Sequence, residues 1–397
     1  MLASSLGLAE SPLPAAVPAP IPAPQDGDNP LTSVRIALQW SPQSQFAGFY
    51  LAREQGFYAA AGADVRFVHT NANRSSLDWL LQGDAELATA FLADAMVAAA
   101  NADSPDDDAG DAPGEQSGDA TRNDSGDDSS DNMPGLARPV LIGQLVQRSN
   151  LMLLAWKDHG IEHLEDLNGQ RISLWPGPFT AAIQALLTGR QITPELIPQY
   201  GTVNLFLHGG VSACAAMEYN EYHRIWQAGI DEDRLTAFLL RDFGFDFPED
   251  GLYARSDWLE EHSDLPQRLW QATLKGWEYA RTHPQQAIDL VMAEAERAGV
   301  PSNRPHQGWM LDHILGSIFV ENDSTLAATG QLAPGAYAAT AQALIAAGLL
   351  TKAPPFGVFC PGCRLQDEGP PPDPSPEPSP GLPSAPSNEP HPVSPPQ

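Results

Sequence analysis

Short apolar runs alternate with amphipathic stretches over residues 33–100 and again over 136–356. VRIALQW (34–40), ADVRFVHT (63–70) and ELATAF (86–91) read as strands. Phe46 to Tyr58 and SSLDWLLQG (75–83) carry apolar residues three and four apart and read as helices. Beyond residue 136, PVLIGQLVQ (139–147), LMLLAW (151–156), RISLW (171–175) and VSACAAM (211–217) predict strands. PFTAAIQALLTG (178–189) and EYHRIWQAG (221–229) predict helices, the first with proline early, where a missing N–H costs least. LEDLNGQ (164–170) predicts a short helical turn. LTAFLLRDF (235–243) and DGLYARSDW (250–258) supply extended segments. Helices are expected from Pro266 to Thr282, from Pro284 to Ala298, at 307–319 and at 334–347. Strand–helix alternation predicts an α/β fold with mainly parallel sheets. Helices gathered at the end of so long a body predict two lobes rather than one sheet.

Composition separates this body from its surroundings. The chain has 397 residues and 38 prolines, and the prolines gather at its ends. Residues 1–32 read as the remnant of an apolar leader followed by an Ala/Pro linker, although no basic segment precedes the apolar one. Residues 101–135 are rich in Asp, Gly and Ser and too poor in apolar side chains to offset their ordering entropy, so they read as a disordered acidic insertion. A Ca²⁺ loop is the alternative there, but the alternating Asp pattern with a closing Glu is absent. Residues 357–397 form a CxxC segment and a Pro-rich tail. The folded domain is therefore 33–356, interrupted by the insertion.

Charge and motifs exclude several functions. Lys and Arg number 21 against 50 Asp and Glu, a net charge of -29. That disfavours nucleic acid, whose phosphates need clustered cations, and an anionic membrane surface. The sequence holds no nucleophile elbow, phosphate loop, zinc-protease helix or dinucleotide fingerprint. His159 and His163 are four apart but lack a third ligand nearby, and read as surface residues. No metal or cofactor is expected. Cys360-Pro-Gly-Cys363 lacks a redox-fold context and reads as a local disulfide pinning the C-terminal segment. Cys214 reads as a small buried side chain.

One stretch carries more information. In Leu38-Gln39-Trp40-Ser41-Pro42-Gln43-Ser44-Gln45-Phe46-Ala47-Gly48-Phe49-Tyr50 a strand ends in Trp, a Pro turn follows, and Ala-Gly-x-Tyr opens a helix. Glu54, Gly56-Phe57-Tyr58, Gly62 and Val65 continue it. With Ala93-Asp94-Ala95, Met217-Glu218-Tyr219-Asn220-Glu221-Tyr222, Asp242-Phe243-Gly244 and Glu249-Asp250-Gly251-Leu252-Tyr253, this resembles the NMT1/THI5-like (SsuA/ThiY-like) substrate-binding proteins of ABC transporters. The resemblance covers about 33–300. It implies a two-lobed periplasmic binding protein-like (type II) fold, with the chain crossing twice between lobes and a ligand in the cleft.

Candidate ligand residues follow from that frame. Trp40, at a strand end before a polar loop, can stack on a planar ring. Gln45 and Tyr50 open the next helix, and Tyr50 either faces the cleft or packs inward. Asp94 is a helix cap, a ligand acceptor or both. Gly177 lets backbone approach a ligand, and Thr180 can donate or accept. Glu218, Tyr219, Asn220, Glu221 and Tyr222 follow an apolar strand. A carboxylate beside an amide suits an aminopyrimidine, either glutamate could serve, and Tyr222 could complete a sandwich with Trp40. A solvated helix start is the alternative for these acids.

The function expected is that of a monomeric, non-catalytic, extracytoplasmic receptor delivering a small planar heterocycle to an ABC permease and ATPase. A thiamine-precursor pyrimidine ranks first and a flavin second. The resemblance also admits an enzyme, because eukaryotic members make the pyrimidine with an early lysine and a Cys-rich motif. Here the three lysines are Lys157, Lys275 and Lys352, and only Cys214 lies near the Met217 segment. A Schiff-base mechanism needs a placed lysine. The third reading is an extracellular ligand sensor acting in trans.

Overall fold

The computed structural model describes residues 30–70, 74–102, 137–320 and 328–363. The leader, almost all of the acidic insertion and the Pro-rich tail lie outside the described residues. Among the described residues, ten strands form two five-stranded sheets. The first contains β1 (Thr32–Leu38), β2 (Ala63–His69), β3 (Leu87–Phe91), β4 (Pro139–Gln144) and β10 (Asp250–Arg255), in the order β2-β1-β3-β10-β4. The second contains β5 (Leu151–Trp156), β6 (Arg171–Leu174), β7 (Glu195–Pro198), β8 (Ala213–Met217) and β9 (Leu235–Leu239), in the order β7-β6-β8-β5-β9. β1 pairs in parallel with β2 and β3, and β6 with β7 and β8. β10 and β5 run antiparallel to both their neighbours. The chain leaves the edge strand β4 to enter the second sheet at its interior strand β5. It leaves the edge strand β9 to re-enter the first sheet at its interior strand β10. The first sheet is thus completed by chain returning from the second lobe.

Helices cover the sheets. Thirteen α-helices run α1 (Ala47–Glu54), α2 (Phe57–Ala60), α3 (Ser76–Leu81), α4 (Leu92–Ala102), α5 (Ala181–Gly189), α6 (Asn204–Leu207), α7 (Glu221–Gln227), α8 (Ser256–Glu261), α9 (Leu265–Thr282), α10 (Pro284–Arg297), α11 (Arg304–Ile318), α12 (Pro334–Ala346) and α13 (Phe356–Phe359). The helix expected from Phe46 to Tyr58 is divided: a 3₁₀ turn at Ser44–Phe46 precedes α1, and a break at Gln55-Gly56 separates α2. Strand β1 stops at Leu38, so Gln39 and Trp40 lie on the bend beyond it. The apolar pattern did not announce β7, whose burial is slight because it is an edge strand, nor the short α6 and α13.

The glycine of the Ala-Gly-x-Tyr turn has a packing reason. α1 lies against α9, where a Cβ on Gly48 would sit 2.3 Å from the ring of Trp277. Gly276 faces the backbone oxygen of Gly48 at a similar, Cβ-excluding distance. The close approach lets Trp277 become fully buried. Cys360 and Cys363 are joined by a disulfide, with Cys360 buried beside Phe359 in the apolar cluster between β4, β10 and α12. Cys214 is buried in β8, where burial drives its thiol pKa well up.

Candidate functional site

Both crossovers and the C-terminal ends of β1, β3, β6 and β8 meet along the seam between the lobes. The loop after β1 supplies amides to it. Gln39 Nε2 donates to Asp250 Oδ1 at 2.9 Å, and Gln45 Nε2 donates to Asp250 Oδ2 at 2.7 Å. Gln43 donates to Gln45 Oε1 at 2.6 Å. Asp250 opens β10, is 3 % exposed, and burial lifts its pKa to about 6 against the pull of the two amides. Gln39 Oε1 is buried and unpaired. Trp40 is 40 % exposed, and its carbonyl accepts from His69 Nδ1 at 2.8 Å, which leaves the indole free to meet a ring.

Tyr50 does not reach the seam. It is fully buried inside the first lobe, edge-on to Phe67, with its hydroxyl 3.2 Å from His69 Nε2. One helical turn after the loop its side chain points into the core, so the inward alternative holds.

Asp94 works between lobes. It stands in the first turn of α4 and its Oδ1 accepts from the backbone N–H of Phe179, on the second lobe, at 3.0 Å. Phe91 and Phe179 stack across the same seam, 4.6 Å between centroids and 13° from parallel. Burial raises the Asp94 pKa to about 7. Gly177 makes this contact possible. Its φ of 123° and ψ of 157° belong to a region that side chains avoid, and Asp94 Oδ1 would lie 3.6 Å from a Cβ there. Thr180 is buried and donates to its own turn, to Gly177 O at 3.0 Å and Trp175 O at 3.3 Å.

The segment after β8 is bonded internally. Glu218 holds Arg241 through two contacts, 2.6 and 3.1 Å, and Arg241 also donates to Ser149 O. Glu221 is buried and accepts from Met217 N at 3.0 Å and Asn220 Nδ2 at 2.8 Å. Burial raises its pKa. Both carboxylates expected to meet a ligand amine are thus engaged by protein donors. Tyr219 is 2 % exposed, and Asp250, Glu249 and Glu221 all lie near enough to raise its pKa further. Tyr222 turns away to the apolar cluster of the second lobe, packing on Trp226 and donating to Glu232 at 3.3 Å. The sandwich with Trp40 is therefore not formed.

Residues that the sequence reading did not single out hold the hinge. Glu249 Oε1 accepts from Asn150 N at 2.7 Å, Leu151 N at 3.1 Å and Ser149 Oγ at 3.2 Å, and Oε2 accepts from Asn150 Nδ2 at 2.8 Å. Burial and the neighbouring Asp250 raise its pKa to about 8, while these donors oppose the rise. Asp246 takes Ser149 N and Arg148. Ser317 of α11 donates to Asn150 Oδ1 at 2.8 Å. The signal for them was the Glu249-Asp250 pair, two adjacent acids at the start of the strand that Gly251–Tyr253 continues.

A cavity of about 30 Å³ remains in the seam, lined by Phe91, Phe179, Ser149, Glu249, Phe247 and Leu344 among others. Its volume suits a water-sized occupant, and the Phe91–Phe179 stack and the Asp94–Phe179 hydrogen bond hold the lobes together beside it. Among the described residues no group of three or more His, Cys, Asp or Glu side chains could hold a metal ion.

Residues 43–105 and 138–287 match the model of a family described as NMT1/THI5 like. A riboflavin-binding protein, RibY, of Chloroflexus aurantiacus is 23 % identical over 287 residues, 70 % of each chain. A formylaminopyrimidine-binding protein of Halalkalibacterium halodurans is 21 % identical over 282 residues, 69 % of this chain and 74 % of that one. Among solved structures, the periplasmic aliphatic sulphonate binding protein SsuA from Escherichia coli superposes with a TM-score of 0.55 at 15 % identity, over 81 % of this chain and 94 % of its own. The two-lobed α/β architecture is that of periplasmic binding proteins.

Proposed function

This chain belongs to the NMT1/THI5-like family, and from that premise we propose that it is an extracytoplasmic solute-binding protein that delivers a small planar heterocycle to an ABC importer. An aminopyrimidine of the thiamine-precursor type is the first choice of ligand and a flavin the second. The observation that carries this reading is the chemistry of the seam. The arginines there are neutralised, Arg241 by Glu218 and Arg148 by Asp246. What remains unpaired is an acceptor, Gln39 Oε1, next in the chain to the partly exposed ring of Trp40, with the buried acids Asp250 and Glu249 bonded around it by protein amides. A polar acceptor set with a stacking face favours a neutral or weakly basic ring bearing N–H groups. A sulfonate or phosphate would need cationic or backbone donors. The relatives named for riboflavin and for formylaminopyrimidine both take planar nitrogen heterocycles.

Admission of such a ring requires the lobes to part where Phe91 stacks on Phe179 and Asp94 accepts from Phe179 N. In this reading the ligand meets Gln39 Oε1, which Asp250 orients by accepting from Gln39 Nε2, rather than Glu218 or Glu221. An enzyme of the Schiff-base kind finds no support, because Lys157, Lys275 and Lys352 are all exposed. No described helix is long and apolar enough to cross a membrane. The test is a thermal-shift screen of hydroxymethylpyrimidine, formylaminopyrimidine and riboflavin against taurine, sulfate and phosphate, followed by calorimetry. Stabilisation by the rings supports the proposal. Stabilisation by the anions alone, with every ring silent, overturns it.

A further inference from the structure

Helix α11 packs on the first lobe, with Gln307 Oε1 accepting from Ser44 N at 2.7 Å, yet its other side meets α7 of the second lobe. Polar contacts run along that meeting. Gln227 and Asn303 exchange amide hydrogen bonds at 3.0 and 3.1 Å. Trp309 Nε1 donates to Glu218 O at 3.1 Å and its ring stacks on His223. At the centre His223 Nδ1 lies 3.0 Å from His306 Nδ1, and His306 Nε2 lies 3.0 Å from Asn220 Oδ1.

Those contacts fix the protons. Asn220 Nδ2 donates to Glu221 Oε1, so Asn220 Oδ1 must be the acceptor facing His306. His306 Nε2 therefore carries a hydrogen, and in the neutral ring Nδ1 has a free lone pair. His223 Nδ1–H then donates to it. A proton added to His223 at Nε2 leaves this chain intact. A proton added to His306 must go on Nδ1, where it removes the acceptor, and once His223 also carries both its ring hydrogens two N–H groups are set against each other.

We propose that His223 and His306 form a proton-sensitive clasp between the lobes, with His306 acting as a positioning residue for Asn220 and Glu221. Burial, His223 and Arg224 lower the His306 pKa to about 4, and burial and His313 lower that of His223. The other charged groups around the pair are Glu221, the Glu218–Arg241 pair and the Arg304–Asp289 pair between α11 and α10. None of their carboxylates makes a direct hydrogen bond to either imidazole. The native ring resists a proton that a free imidazole accepts near 6.5, so clasp stability is complete above 6.5 and is lost as pH falls toward 4. Asp94, across the seam, titrates in the opposite sense, because its raised pKa favours closure on protonation.

The experiment therefore reads a difference. Dyes on Ser33→Cys and Glu162→Cys, both at exposed positions on opposite lobes, report lobe separation by energy transfer in the full chain. His306→Gln keeps an amide N–H for Asn220 and an amide oxygen for His223, and cannot titrate. Between pH 6.5 and 4 the closed-to-open ratio of the wild type should fall relative to His306→Gln by up to about tenfold per pH unit, while the Asp94 contribution cancels. At pH 7.5 His306→Ala should open the lobes and His306→Gln should not. A ratio that stays constant with pH, or a His306→Ala protein as closed as wild type, overturns the clasp. Should His306→Gln not fold, His223→Ala must open the lobes at pH 7.5, and its failure to do so also overturns the clasp.

Discussion

Glu249 on the second crossover accepts hydrogen bonds from both amide groups of Asn150 on the first, at 2.7 and 2.8 Å. The two connections between lobes are thus tied to each other rather than running side by side. Truncation should show the tie. Glu249→Ala leaves two backbone N–H groups, the Asn150 amide and a hydroxyl without their acceptor in a buried place. We expect a loss of about 3 kcal/mol or more, read from denaturant midpoints at unchanged slope.

The same carboxyl sets a pH profile. Its folded pKa of about 8 lies above the ordinary glutamate value. A raised carboxyl contributes stability that is full below its unfolded pKa and is lost as pH climbs through the folded one. Between pH 6.5 and 8.5 His306 is neutral in the fold and at most half protonated when unfolded, so the carboxyls dominate. The melting temperature should fall across that window, by the equivalent of about 1–2 kcal/mol. Glu249→Gln should start lower and flatten the slope, and a wild-type profile that rises would contradict the assignment.

The Asp94–Phe179 contact predicts a closure defect. Gly177→Ala forces a side chain into a backbone region costing about 1–3 kcal/mol, in the turn that offers the Phe179 N–H. Lobe separation measured by small-angle scattering should increase in Gly177→Ala and in Asp94→Ala. The helical content should stay unchanged, because the turn lies outside α5.

Trp40 separates binding from folding. Its ring is partly exposed and its one polar contact is through the backbone. Trp40→Ala should leave the melting temperature within about 1 °C, since exposed substitutions move stability by no more than about 0.5 kcal/mol. It should weaken heterocycle binding by about tenfold, the worth of one aromatic face. Asp250→Asn should weaken binding more than Glu218→Gln, whose partner is Arg241. Equal effects would return Glu218 to the ligand.

Much of the architecture was legible because strand and helix periods differ and the buried runs keep them. LMLLAW (151–156) became a fully buried strand, and the α9 and α10 boundaries fell within about a residue of the proline signals. The site was less legible, for physical reasons. Residue type shows that Glu218 and Glu221 carry charge, but not that Arg241, 23 residues beyond Glu218, would claim one of them, nor that Met217 N and Asn220 would claim the other. Long-range partners decide which acceptor stays free, and those depend on how strands order within a sheet. Asp250 meets Gln39 and Gln45 across more than 200 residues of chain, because β10 enters the first sheet beside β3. No local pattern encodes that meeting.

The exchange of strands has a consequence for how the protein can come into being. β10, inside the first sheet, belongs to chain that has already built most of the second lobe, and β5 separates β8 from β9 in turn. A nascent chain that ends before residue 250 holds β3 and β4 with nothing to join them. The first lobe cannot be cut out as one continuous fragment, and its sheet cannot close during synthesis until both crossovers have emerged, whereas the second sheet is built from continuous chain. We expect fragment 30–146 to remain unfolded alone, and to regain structure only when the returning strand β10 is supplied.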